Sequence, residues 1–240
     1  DTSSSMDGLI NQTREQLWRI VNTLASARRA GQQARLELAL YEYGNTRLAA
    51  QDRWIRQVVP LTTDLDRVSE ALFGLRTSGG DEYCGAVIEQ ATRELAWSRR
   101  PGDLKLIYIA GNEPFTQGPV RFEQAVKAAV TRGVVVNTIH AGTEAEGISG
   151  QWAAAARLGD GNYLFIDQNK AVVRVEAPQD AELARLSRAL NDTYLAYGAH
   201  GKEAAARQAA QDANAAALSP GSSATRAVAK SAKVYSNESW

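Results

Sequence analysis

The sequence has one cysteine, Cys84, and two histidines. A lone thiol closes no internal disulfide, and a structural zinc site is not expected from so few soft ligands. An excess of one charge is also missing. Lys plus Arg number 27 and Asp plus Glu number 27, so no general basic field exists to bind nucleic acid, and only a local basic patch is left open. No apolar run is long enough to span a bilayer. The chain shows no leader peptide, which leaves open one that has been removed. There is no G-x-S-x-G elbow to carry a hydrolase serine. The loop "RTSGGDEYCG" contains Gly79 and Gly80 but lacks the Lys and the spacing of a P-loop. What remains is 240 residues, enough for one good-sized domain with additions.

Along the chain, "MDGLINQTREQLWRIVNTLASARR" carries apolar residues at helical spacing. "ARLELALYEYG" alternates and ends in Gly44, as a strand does. "RWIRQVVPLT" is a second extended stretch, and Pro60 places it at a sheet edge. "DLDRVSEALFGL" reads as a helix with Asp64 near its cap, and "AVIEQATRELAW" as the next helix. A regular alternation follows. "LKLIYIAG" and "VVVNTIHAG" are continuous apolar strands, expected to be adjacent, central and parallel. They flank the helix "RFEQAVKAAVTRG", closed by Gly133. The helix "SGQWAAAARLGDG" then leads into the strand "NYLFIDQ". "AVVRVEA" is a further strand or hairpin arm, and "DAELARLSRALNDTYLAYG" is a long helix. Strands that alternate with helices predict an α/β fold, a doubly wound and mainly parallel sheet with helices on both faces. The last forty residues are rich in Ala and poor in large apolar side chains. Two helices around "SPGSS" fit their propensities.

The opening "DTSSSMDG" has two readings. Asp1, Ser3 and Ser5 are good helix N-caps. One carboxylate and two hydroxyls at alternate positions also suit a hard cation that takes oxygen ligands. Loops that carry chemistry in a doubly wound sheet follow a strand, so a first strand is expected upstream of Asp1. Both chain ends read as internal to a longer protein.

D-x-S-x-S, a long helix, two strands, a helix, a Gly-Gly loop with its helix, and an apolar strand ending in "AGNEPF" together resemble a von Willebrand factor type A (vWA) domain of the bacterial stand-alone kind. "GNEPFTQGPV" and "IHAGTEAEGISG" fit that group. The resemblance covers residues 1–197, leaving 198–240 as an Ala-rich helical extension. It implies a metal-ion-dependent adhesion site (MIDAS) at the carboxyl end of the sheet, where an acidic side chain of a protein partner completes the ion's shell. Asp1, Ser3 and Ser5 match the first motif in full. The usual Thr of the second motif falls on Glu82, and the usual Asp of the third falls on Gly111. One carboxylate is lost and another gained, so Glu82 is the expected fourth ligand of a Mg²⁺ (or Mn²⁺ or Ca²⁺) site; the alternative is a decayed site that holds no metal, with Glu82 a first-turn helix residue facing water. Asn112 and Glu113 lie on the rim as possible partner contacts.

The other reactive residues have plainer readings. Cys84 opens a helix, where a thiol can be activated, but a small buried hydrophobe is the expected role. His140 ends an apolar strand and is expected to be structural. Trp54, Trp97 and Trp152 are expected to pack. The resulting expectation is a non-enzymatic, cation-dependent protein-binding domain of a larger bacterial protein, for adhesion or scaffolding, in an extracytoplasmic compartment, with the cytoplasm left open. The alternative is a regulatory partner of an AAA ATPase of the chelatase type. A thiol or serine hydrolase is a weaker third.

Overall fold

The computed structural model describes residues 1–29, 31–167, 179–197, 201–218 and 220–231. The arm expected at 171–177 lies outside them. In chain order the elements are α1 (Ile10–Ser26), a two-residue ladder of β1 (Arg28–Arg29) and β2 (Gln32–Gln33), β3 (Leu38–Tyr43), β4 (Ile55–Thr62), α2 (Leu65–Gly74), α3 (Cys84–Glu94), β5 (Lys105–Gly111), α4 (Phe122–Thr131), β6 (Val134–Ala141), α5 (Glu144–Ser149), α6 (Trp152–Leu158), β7 (Asp160–Ile166), α7 (Asp180–Asp192), α8 (Gly201–Leu218) and α9 (Pro220–Ser231). By contact the chain divides into two compact units. One comprises Asp1–Thr13, Leu40–Leu61 and Leu75–Ala171. The other comprises Arg14–Ala39, Thr62–Gly74 and Val172–Trp240.

The first unit is α/β. β5, β6 and β7 form a parallel sheet in that order, with Lys105 opposite Val134 and Gly111 opposite His140. β6 is the central strand, and Val134, Val136 and Ile139 have no exposed surface. β3 pairs with β4, and Pro60 lies exposed on β4. The expectation that β5 would be as central as β6 needs correcting. β5 is an outer strand of the three-stranded ladder, and Lys105–Tyr108 are only half-buried. Toward β3, Ala110 is met instead by single bonds. The Asp1 nitrogen donates to the Ala110 carbonyl at 3.0 Å, and the Tyr43 hydroxyl donates to the same oxygen at 2.9 Å. The Thr2 N–H donates to the Tyr43 carbonyl at 2.9 Å. The first two residues are thereby held between the carboxyl ends of β3 and β5.

Helices flank this sheet. α3 packs on α4, α4 on β6, and α6 on β6 and β7. Their apolar faces, with Val87, Ile88, Val126, Ala129 and Ala155, bury against Ile55, Ile109 and Val136 in one core. Phe115 sits edge-on to both Phe122 and Trp152, at ring separations of 5.3 and 4.8 Å, and is fully buried. α5 does not figure in the helices expected from sequence. Thr143 and Glu146 close a reciprocal capping box that starts it.

The second unit is helical. Asp64 caps α2 by accepting the Arg67 N–H at 3.0 Å. Trp18 of α1 lies edge-on to Phe73 of α2, and Leu65, Val68 and Leu72 are buried. α8 and α9 have few large apolar residues and bury polar ones. Ser69 donates to Gln211 at 2.8 Å, and the buried Arg226 guanidinium reaches Asp212 at 2.6 Å and Asp66 at 3.2 Å. The buried Lys230 ammonium also bonds Asp212, along with Ser187 and Asn191 at 2.9 Å each.

Candidate functional site

The carboxyl ends of β3 and β5 place three loops against one another: residues 1–5, the stretch before α3, and the turn after β5. Asp1 Oδ1 accepts the Ser3 N–H at 2.8 Å, which folds the first loop back on itself. Ser3 then begins a short 3₁₀ turn over Ser4–Met6, but its side chain caps nothing. Its hydroxyl lies 2.7 Å from that of Ser5. The helix-cap reading of this cluster therefore fails, since α1 begins only at Ile10 and neither hydroxyl serves it. The Ser5 hydroxyl is 3.0 Å from Glu82 Oε1 and 3.0 Å from Asn112 Oδ1.

Glu82 lies two residues before α3 and is buried. Burial pushes its carboxyl above the usual range, and hydrogen bonds from Ser3 and Ser5 pull it back. Its backbone N–H donates to Gln117 Oε1 at 3.2 Å, and Gln117 Nε2 donates to the Glu113 carboxylate at 3.3 Å. Gln117 thus ties the second loop to the third, a role with no signal in the sequence. Glu113 itself faces Gln117. Its carboxyl is also raised, by burial and then by the charge of Glu82. Of the two rim candidates, only Asn112 reaches the serines through its side chain.

Two glycines make the room. Gly44 ends β3 with φ +78°, and a Cβ there would stand 2.9 Å from both Asp1 Oδ1 and Glu82 Cγ. A Cβ at Gly111 would stand 2.7 Å from the Tyr43 hydroxyl and 3.0 Å from both Asp1 Oδ2 and the Trp152 ring. A side chain at Gly111 would have to displace the ends of the Tyr43 and Trp152 side chains, both of which are buried.

The residues fit a cation. Asp1 Oδ2 is buried with no hydrogen-bond partner. Ser3 and Ser5 bring two hydroxyl protons, while the oxygens of Ser3, Ser5, Glu82 and Asn112 face one another across contacts of 2.7–3.0 Å. Two protons cannot serve all of these contacts and Asp1 as well. Among the described residues no group of three or more His, Cys, Asp or Glu forms a metal cluster. Asp1, Ser3, Ser5 and Glu82 would offer an ion two carboxylates and two hydroxyls, a hard oxygen set.

The other reactive residues stand apart from this chemistry. Cys84 is buried, and burial pushes its thiol up to about 12, which disfavours the thiolate. His140 is buried beside the Trp152 ring at 5.6 Å, and its Nδ1 has no hydrogen-bond partner.

No protein-family model matches the chain, and no curated protein does. Among solved structures it is similar to the VWA domain of SpRpn10, at 14% identity over 67% of this chain and 78% of that one, with a TM-score of 0.48. It is similar to BatB from Bacteroides thetaiotaomicron at 17% identity, over 64% of this chain and 80% of that one, with a TM-score of 0.46. It is also similar to proximal thread matrix protein 1 from the mussel byssus, with a zinc-occupied MIDAS motif. That match has 15% identity over 71% of this chain and 40% of that one, with a TM-score of 0.46. A VWA domain is thus among its structural neighbours. The chemistry of the site rests on its own geometry.

Proposed function

We propose that this chain is a vWA-type domain that binds a divalent cation over Asp1, Ser3, Ser5 and Glu82, and through that ion a protein partner offering a carboxylate. The observation that carries this reading is the shortage of protons in a cluster of oxygens. Asp1 Oδ2 is buried and unpartnered beside two serines, a second carboxylate and an amide oxygen. Such a cluster is costly without a positive charge to share. Mg²⁺ is the expected ion, with Mn²⁺ and Ca²⁺ accepted by the same donors. The domain is read as non-enzymatic, a binding or scaffolding part of a larger exported bacterial protein. No helix among the described residues is long and apolar enough to cross a membrane.

The test is a melting curve of the 240-residue chain against Mg²⁺ and Mn²⁺. An ion that binds only the folded state stabilises by mass action, by about 2.7 kcal/mol at a hundred times Kd. Asp1→Ala should abolish the rise in Tm. A wild-type melt unchanged by millimolar cation sinks the proposal.

A further inference from the structure

We infer that Asn112 is itself a ligand of the ion, supplying through its amide oxygen the donor that Gly111 lacks. This rests on the cation reading of the same site. A Cβ at 111 would meet the Tyr43 hydroxyl at 2.7 Å and Asp1 Oδ2 and the Trp152 ring at 3.0 Å, so a side chain there would have to displace them. The next residue is the first with freedom to turn inward. Asn112 does so, with Oδ1 at 3.0 Å from the Ser5 hydroxyl, the same distance that separates Ser5 from Glu82. Glu113, one residue further, points its carboxylate to Gln117 instead.

Ser5 has one hydroxyl proton and faces three oxygens, those of Ser3, Glu82 and Asn112. A cation among those oxygens takes the place of the missing protons, and the Asn112 side chain stands close enough to share it. The set is then Asp1, Ser3, Ser5, Glu82 and Asn112, five residues with two negative charges. A divalent ion bound there is neutralised, and a six-coordinate ion keeps one position for an oxygen from outside. A neutral amide leaves the site's charge to Asp1 and Glu82, so the residue at 112 is a lever on affinity that leaves those two in place.

The experiment measures Mn²⁺ binding to the 240-residue chain by calorimetry and by the loss of the free-ion EPR signal, for wild type, Asn112→Ala and Asn112→Asp. Circular dichroism checks that each variant is folded. Asn112→Ala should weaken Mn²⁺ by roughly tenfold. Asn112→Asp should tighten it by roughly tenfold, yet lower the Tm in EDTA, because a third carboxylate then meets Glu82 and Asp1 with no counter-charge. If Asn112→Ala binds as tightly as wild type, Asn112 is not a ligand and the cation reading survives without it. If wild type binds no Mn²⁺ at all, both fall. Should Asn112→Ala fail to fold, Asn112→Asp decides alone: no gain in affinity would overturn the inference.

Discussion

The two units are held together by different means. In the first, the largest fully buried side chains include Trp152, Phe115, Ile88, Ile139 and Val126, and they interlock over a parallel sheet. In the second, α8 and α9 bring alanines and bury Gln208, Gln211 and Arg226. An apolar core tolerates no missing volume, because its stability is proportional to the surface removed from water. A buried ionic network tolerates no missing partner, because each charge left alone keeps its desolvation cost. The helical unit is therefore brittle at a few polar atoms, and the α/β unit at a few large rings.

The largest expected effect comes from the first unit. Phe115→Ala should cost about 4 kcal/mol, read by urea unfolding, because the ring is fully buried against Phe122 and Trp152 and has no polar group to relocate. The next belongs to the second unit. Asp212 holds Arg226 and Lys230 at once and accepts from Asn191 at 2.6 Å. Asp212→Ala should cost about 3 kcal/mol, with the loss visible in helical signal. A cost below about 1 kcal/mol would mean the network behaves like a solvated surface pair, and the contrast between the units would dissolve.

The contrast also explains what could be read from sequence. β5 and β6 are continuous apolar runs, so their parallel pairing and the helices between strands follow from pattern alone. The convergence of Asp1, Ser3, Ser5 and Glu82 was legible through the vWA resemblance, which implies that these loops meet. Three things were not legible. The fit at Gly111 depends on the Tyr43 and Trp152 side chains, which come from distant elements. The polar network of α8 and α9 has no apolar period to betray it, and an Ala-rich stretch reads as an appendage. α5 carries a signal in the T-x-x-E of Thr143 and Glu146, but it is only six residues long and has no apolar period of its own.

Acid should separate the units in a fixed order, and this is the smallest of the three effects. In the first unit, burial pulls the His140 imidazole below its ordinary 6.5, with the Glu146 carboxylate opposing. Its Nδ1 has no acceptor waiting for a proton. The unfolded chain then takes up that proton before the folded one does. His140's contribution is complete above pH 6.5 and is lost as pH falls through the lower folded value. In the second unit, burial alone would raise the Asp212 carboxyl, but its bonds from Lys230, Asn191 and Arg226 outweigh that and hold it below its ordinary 3.8. That contribution is complete above pH 3.8 and is lost only as pH falls through a still lower value. Stability of the α/β unit should therefore begin to slope at a pH where the helical network is still intact. His140→Asn, with no proton to gain in this range, should flatten the slope just below pH 6.5 and leave the strongly acid limb unchanged. Melts from pH 8 to 3 (~0.5 steps) of wild type and His140→Asn side by side would show it. An unchanged slope in His140→Asn would mean that the orphaned nitrogen finds a partner on protonation, and that the first unit's response to acid comes from its carboxylates.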